Sequence, residues 1–298
     1  MSIVASDVPG TTETSGPFPE RLAGHSPLSL FGITRTSADG QFGTGMNPGP
    51  WMTDGSGNLR PGSLAVLLDL ELSSPLFSGR PSPRAGLATS ELSIDFVADA
   101  ALLGGHLTAK ASLVHKDEDG GLVRGQVTND GGIVAIATLA GRYLKMPEDY
   151  RGAVDLNPGT PDPSLTMRQV FTDLPQITAE GSALSLLSSP WLANPRGVMH
   201  GGILAVLAEY VASSALDGGG GAWQPSSLRI NYLRPSPLGE VLSVRAARIQ
   251  QGRKLALVKV ETLRPDGKHI TSAQVSFTRK PASADSPGRC RNCNPGIA

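Results

Sequence analysis

The residues best placed to do chemistry are two acids and one turn. The stretch Asn194-Pro-Arg-Gly-Val-Met-His200-Gly201-Gly202 is polar and glycine-rich, and it runs directly into the apolar Ile203-Leu-Ala-Val-Leu-Ala-Glu209. The first N–H groups of a helix have no intrahelical partner and lie at the positive end of its dipole. Such a turn therefore suits an oxygen that becomes negative in a reaction, and glycine lets that oxygen come close. The Gly201 N–H is the candidate donor. A carboxylate on a partly buried helix can act as general base or as nucleophile. Apolar residues cover nearly the whole circumference from 203 to 208, which predicts a helix buried on all sides, with Glu209 inside it.

This helix has a counterpart 140 residues earlier. Leu64-Ala-Val-Leu67 recurs as Leu204-Ala-Val-Leu207, Ser73-Ser74 as Ser213-Ser214, and Pro50-Trp51 as Pro190-Trp191. Asp69 falls on Glu209, so each copy carries an acid at the same helical position. A repeat this long points to duplication of a whole domain rather than to a solenoid unit.

The elements around the helices follow from pattern and turn residues. A β-compatible segment runs from Leu28 to Thr36, a second reaches Met46, and a Pro/Gly-rich loop from Asn47 to Pro61 precedes the helix from Gly62 to Ser74. After each helix the period becomes two. Residues 89–97 alternate in step with 227–233, at an offset of 136. Further strands are predicted at 106–115, 121–128 and 132–142 in the first copy, and at 241–250, 256–263 and 269–279 in the second. Asp117-Glu-Asp-Gly-Gly, Asn129-Asp-Gly-Gly and Pro265-Asp-Gly supply the turns. The proline-rich stretch 145–165 suits a linker. The expected organisation is a lead-in over 1–26, a first domain over 27–144, that linker, a second domain over 166–281 and a tail over 282–298.

Composition narrows the classes of function. With 26 basic and 26 acidic residues in 298, the formal charge is zero, which argues against a nucleic-acid binder. No apolar stretch reaches the roughly 18 residues a bilayer span needs, and the start lacks a secretory pattern, so neither a membrane nor export is expected. The reading is a cytoplasmic protein. Cys290 and Cys293 form a lone CxxC with no second Cys/His pair at ligand spacing, so no metal site is expected. Gly218–Gly221 lacks the Lys-Ser/Thr ending of a phosphate loop.

Asn194, His200-Gly201-Gly202 and Glu209 together resemble the motif of the hotdog-fold acyl-CoA thioesterases, in particular the phenylacetate-pathway branch. The second copy matches the turn, while the first keeps the acid and a Thr-x-Glu-Leu strand start at Thr89. The resemblance spans about residues 28 to 280. It implies an α+β fold of two tandem hotdog domains, each a curved antiparallel sheet wrapped around one long helix, with the sheets joined edge to edge. It also implies composite sites, with the turn from one hotdog and the acid from the other.

The copies differ at the turn. Where the second has Asn194, His200 and Gly201, the first has Asp54, Arg60 and Pro61. Proline has no N–H to donate, and Asp54 would repel an oxyanion. Opposite them, the first copy offers Asp69, Ser73 and Thr89, whereas the second offers Glu209 and Ser213 but Pro225 or Ser226 in place of Thr89. The expectation is one working site built from Asn194, His200, Gly201, Asp69 and Thr89, with Gly202, Ser73 and Ser213 near substrate. The second site, around Glu209, should be impaired. The resemblance implies an acyl-CoA substrate, coenzyme A entering only within it, no separate cofactor, and a homodimer or homotrimer. An acyl-CoA-binding protein without turnover and a hotdog dehydratase or hydratase are the alternatives.

Overall fold

A computed structural model describes residues 26–38, 41–53, 60–97, 105–146, 166–171, 176–177, 181–216 and 222–279. Asp54, the Gly218–Gly221 run, most of the linker and the tail with Cys290 and Cys293 lie outside the described residues.

Among the described residues twelve strands form one antiparallel sheet. The first half contributes β1 (Ile33–Ala38), β2 (Gln41–Met46), β3 (Ala85–Phe96), β4 (Leu107–Lys116), β5 (Gly120–Asn129) and β6 (Gly132–Lys145). The second contributes β7 (Gln176–Ile177), β8 (Gly181–Leu187), β9 (Trp223–Tyr232), β10 (Val241–Gln251), β11 (Leu255–Leu263) and β12 (His269–Arg279). Their order is β1-β2-β4-β5-β6-β3-β9-β12-β11-β10-β8-β7. Read from either edge inward, the two halves repeat one topology and meet where β3 pairs with β9, Glu91 opposite Asn231 and Asp95 opposite Ser227. At this seam Leu92, Ile94, Leu228 and Ile230 are fully buried on the inner face. On the outer face Arg229 bonds Asp95 at 2.6 Å, an exposed pair that contributes little to stability.

The α-helices of the described residues are α1 (Pro27–Leu30), α2 (Leu64–Ser78), α3 (Met167–Phe171) and α4 (Gly201–Ser214). The two long helices are the cores of the halves. α2 packs on β2 to β6, α4 on β8 to β12, and the helices pack on each other. The sequence explains why. α4 is buried continuously from Gly202 to Ser213, and a helix apolar all round needs cover on every side. α2 buries Leu64 to Asp69, Leu72 and Leu76 but leaves Leu70, Ser73, Ser74 and Phe77 partly exposed along one stripe. That stripe becomes a wall of the site.

Two local expectations need correction. Residues 28–30, read as strand, belong to α1, because Ser26 and Ser29 make a capping box around Pro27 at the first helical position. The helix placed from Gly62 to Ser74 begins with a 3-10 turn at Pro61–Ser63 and continues as α2 past Pro75 to Ser78. The Asp117 turn is held by its own carboxylate, which accepts from the N–H groups of Asp119 and Gly120 and is thereby kept below the usual carboxylate range. Among the described residues no helix is long and apolar enough to cross a membrane.

Candidate active site

The turn before α4 is shaped by its own side chains. Asn194 Oδ1 accepts from Arg196 N at 2.9 Å, and Gly197, at φ +70°, closes the turn onto Asn194 O. Backbone bridges from Ala193 to Met199 and from Val198 to Pro237 then fix the approach to the helix. His200 is the N-cap. Its Nδ1 accepts from Gly202 N at 3.0 Å, so the neutral ring carries its proton on Nε2. Burial holds the imidazole below its ordinary pKa, outweighing the upward pull of Asp69.

Asp69 reaches this turn from the other half of the chain. Its Oδ2 accepts from Gly202 N at 3.1 Å and lies 3.4 Å from His200 Nδ1, while its Oδ1 accepts from Thr89 Oγ1 at 2.9 Å. Both carboxylate oxygens are thus anchored, one by each half. The glycines make the approach possible. A Cβ on Gly201 would lie 2.9 Å from Asp69 Oδ2, and one on Gly202 would lie 2.6 Å from the Cα of Val66. The Gly201 N–H, first in the helix, is left for a ligand.

Tyr232 completes the arrangement, and sequence reading missed it. Its hydroxyl donates to Gly201 O at 2.9 Å, on the same peptide unit whose N–H, from Gly202, donates to Asp69. Burial and the nearby Asp69 push the phenol well above its ordinary pKa, so it stays protonated as a donor. The signal was weak: Tyr232 lies near the end of the alternating stretch 227–233, and nothing in that alternation shows which helix the strand end faces.

Asp69, Thr89, Asn194, His200, Gly201 and Tyr232 line one cavity of about 810 Å³. Ser73 also lines it, with its hydroxyl donated to Leu70 O. Two residues expected near substrate are elsewhere. Gly202 is buried with its N–H committed to Asp69 and His200, so it acts on the acid. Ser213 is fully buried and donates to Glu209 Oε1 at 2.5 Å. Glu209 itself is 0% exposed, against 8% for Asp69, and Arg60 Nη1 lies 3.9 Å from its Oε1. The acid of the second copy is therefore enclosed with a cation, while the acid of the first faces open space.

Residues 187–278 match the family model of the acyl-CoA thioesterase N-terminal domain. The second half is thus similar to an acyl-CoA thioesterase domain, and the whole chain folds as a tandem hotdog. That family is one of thioester hydrolases. The matched stretch holds the intact turn and α4, and it excludes Asp69 and Thr89. Two solved structures share the whole double-hotdog architecture. The tesB protein of Mycobacterium avium subs paratuberculosis aligns over 86% of this chain and 98% of its own, with a TM-score of 0.60 at 11% identity. A protein of Lactobacillus plantarum described as a candidate oleoyl thioesterase aligns over 86% of this chain and 100% of its own, with a TM-score of 0.57 at 11% identity. The PaaI protein of E. coli, from the phenylacetic acid degradation operon, aligns over 38% of the double hotdog and 86% of its own length at 22% identity, with a TM-score of 0.35. A search among curated proteins finds no match.

Proposed function

We propose that this double hotdog hydrolyses acyl-CoA thioesters at one composite site per chain, with Asp69 as general base and the start of α4 as the oxyanion site. The observation that carries this reading is the position of Asp69, bonded to the Gly202 N–H across the two halves and open to the cavity. The thioester oxygen sits at the Gly201 N–H, and the Asn194 side chain, on the same cavity wall, flanks it. Water held by Asp69 attacks the carbonyl carbon, and its proton passes to the carboxylate. The negative charge that develops on oxygen is met by the helix N-terminus. When the tetrahedral intermediate collapses, the carbon–sulfur bond breaks and the proton on Asp69 leaves with the CoA sulfur. The products are a free acid and CoA. Thr89 and the Gly202 N–H occupy lone pairs on both Asp69 oxygens, which favours proton transfer over direct attack.

Thiol release from a panel of aromatic and short to long acyl-CoAs tests the activity, and Asp69→Ala against Glu209→Ala tests the pairing. Turnover should be lost with Asp69→Ala. If it survives there and disappears with Glu209→Ala, the acid is misassigned. A single turnover in ¹⁸O-water separates the routes, because label appearing in Asp69 would mean that the carboxylate attacked directly to form an anhydride. The same reading has the enzyme cytoplasmic and homo-oligomeric, a dimer or trimer, which light scattering decides.

A further inference from the structure

The cavity is electrostatically lopsided in a chain whose formal charge is zero. Among the described residues lining it, Asp69 is the one carboxylate, yet three arginines line it as well: Arg80, Arg196 and Arg234. Each spends one N–H on a backbone carbonyl. Arg80 Nη1 donates to Phe77 O at 2.7 Å, Arg196 Nη1 to Leu87 O at 3.0 Å and Arg234 Nη1 to His269 O at 3.0 Å. Such bonds fix the forks without neutralising them, and none of the three has a carboxylate within ion-pair distance among the described residues. Elsewhere in the same structure arginines do find acids, as Arg229 with Asp95 and Arg264 with Glu240.

Their positions follow the length of the cavity. Leu87, where Arg196 is pinned, lies two strand residues from Thr89, about 7 Å along β3. Phe77, whose ring lies 4.1 Å under the Arg80 guanidinium, is two turns past Asp69, about 12 Å along α2. Between them the walls are Leu70, Ser73, Ser74 and Leu87. Arg234 is exposed at the rim, and the other two are half-buried. Arg196 comes from the second half and bonds the first, so the fork spans the same seam as the Asp69 site. Planar guanidiniums held on fixed backbone anchors suit phosphate oxygens, which accept two parallel N–H bonds.

We propose that Arg80, Arg196 and Arg234 form a phosphate-reading track that binds the nucleotide end of the CoA thioester, so that the enzyme selects CoA thioesters over thioesters of bare pantetheine. This rests on the acyl-CoA reading above and names the residues that would enforce it. The test is direct binding and needs no turnover. Calorimetry with desulfo-CoA, which has the phosphates but no thiol, is compared with desulfo-pantetheine, which has neither, for the wild type and for Arg80→Gln, Arg196→Gln and Arg234→Gln.

Desulfo-CoA should bind the wild type at least about tenfold more tightly, and its affinity should fall with added salt. Each half-buried arginine should cost roughly three- to tenfold on replacement, and the exposed Arg234 less. Arg196→Lys should recover part of the loss by restoring the charge. Equal binding of the two ligands by the wild type overturns the proposal. So do variants that melt like the wild type and keep its affinity for desulfo-CoA, as they would if the guanidiniums served a carboxylate on the acyl group. Intact, arginine-dependent binding with no thiol release from any thioester supports the track and sinks only the hydrolysis reading.

Discussion

Asp69 is held by donors from both halves of the chain, and the quality of those donors depends on groups beyond the acid's own contacts. Tyr232 donates to the carbonyl of the peptide whose N–H donates to Asp69, so the two bonds polarise each other through one amide. Tyr232→Phe should lower kcat roughly three- to tenfold with little change in KM, the worth of one neutral hydrogen bond. Steady-state kinetics on the best substrate checks this, and an equal loss in KM would mean that the ring acts only as cavity wall. His200 makes a second prediction. Its folded pKa lies below 6.5, so the unfolded chain takes up a proton first as pH falls. Its stabilising contribution is therefore complete above pH 6.5 and is lost as pH drops through the folded value. His200→Asn keeps a capping acceptor for the Gly202 N–H but cannot titrate. Urea midpoints between pH 7.5 and about 5 should fall less steeply for the variant than for the wild type, the window set by the lowered imidazole pKa.

At the scale of elements, the site exists because α2 and α4 approach closely at their N-terminal ends. A Cβ at Gly202 would meet backbone of α2, 2.6 Å from Val66 Cα and 2.7 Å from Ala65 O. At the equivalent Gly62 it would meet the Glu209 side chain, at 2.7 Å from Cβ. Backbone yields less than side chain, so Gly202→Ala should cost stability of the overpacking kind, about 1–3 kcal/mol, and should cost more than Gly62→Ala. It should also pull the α4 N–H groups off Asp69. A displacement of about 1 Å costs on the order of 100-fold in rate, so activity should fall further than stability. Chemical denaturation and kcat on both variants test the order. Much of this geometry was legible in the sequence. The offset of 140 residues showed two equivalent helices, and the shift to period two after each one placed β3 and β9. Pairing Asp69 with the distant turn came from family resemblance, since no local pattern records which helix an acid faces. Tyr232 and the backbone anchors of Arg80, Arg196 and Arg234 were illegible, because they depend on where strand ends and loops land after the halves dock. α1 was misread because Leu28 and Leu30 mimic strand alternation while Ser26, Pro27 and Ser29 cap a helix.

At the scale of the whole molecule, the two equivalent helix acids stand in opposite surroundings, Asp69 on the cavity and Glu209 inside the core. At the second site Arg60 stands in the place of His200 and Pro61 in that of Gly201, so a cation replaces a neutral cap and an N–H donor is gone. Arg60 is 3% exposed and lies beside the enclosed Glu209, whose Oε1 also accepts from the Ser213 hydroxyl. A buried pair of this kind is costly to break from one side, because the remaining charge is left in a poor solvent. Arg60→Leu should therefore destabilise the fold by about 3–5 kcal/mol, whereas Arg60→Leu combined with Glu209→Leu should recover most of that loss. Urea unfolding at pH 7 reads both variants. Desulfo-CoA should titrate to one equivalent per chain in the wild type and in the double variant, because the Asp69 cavity is untouched by either change. Two equivalents in the wild type would show that the Arg60 side is open to ligand, and the enclosure of Glu209 would then describe one state of a site that still opens.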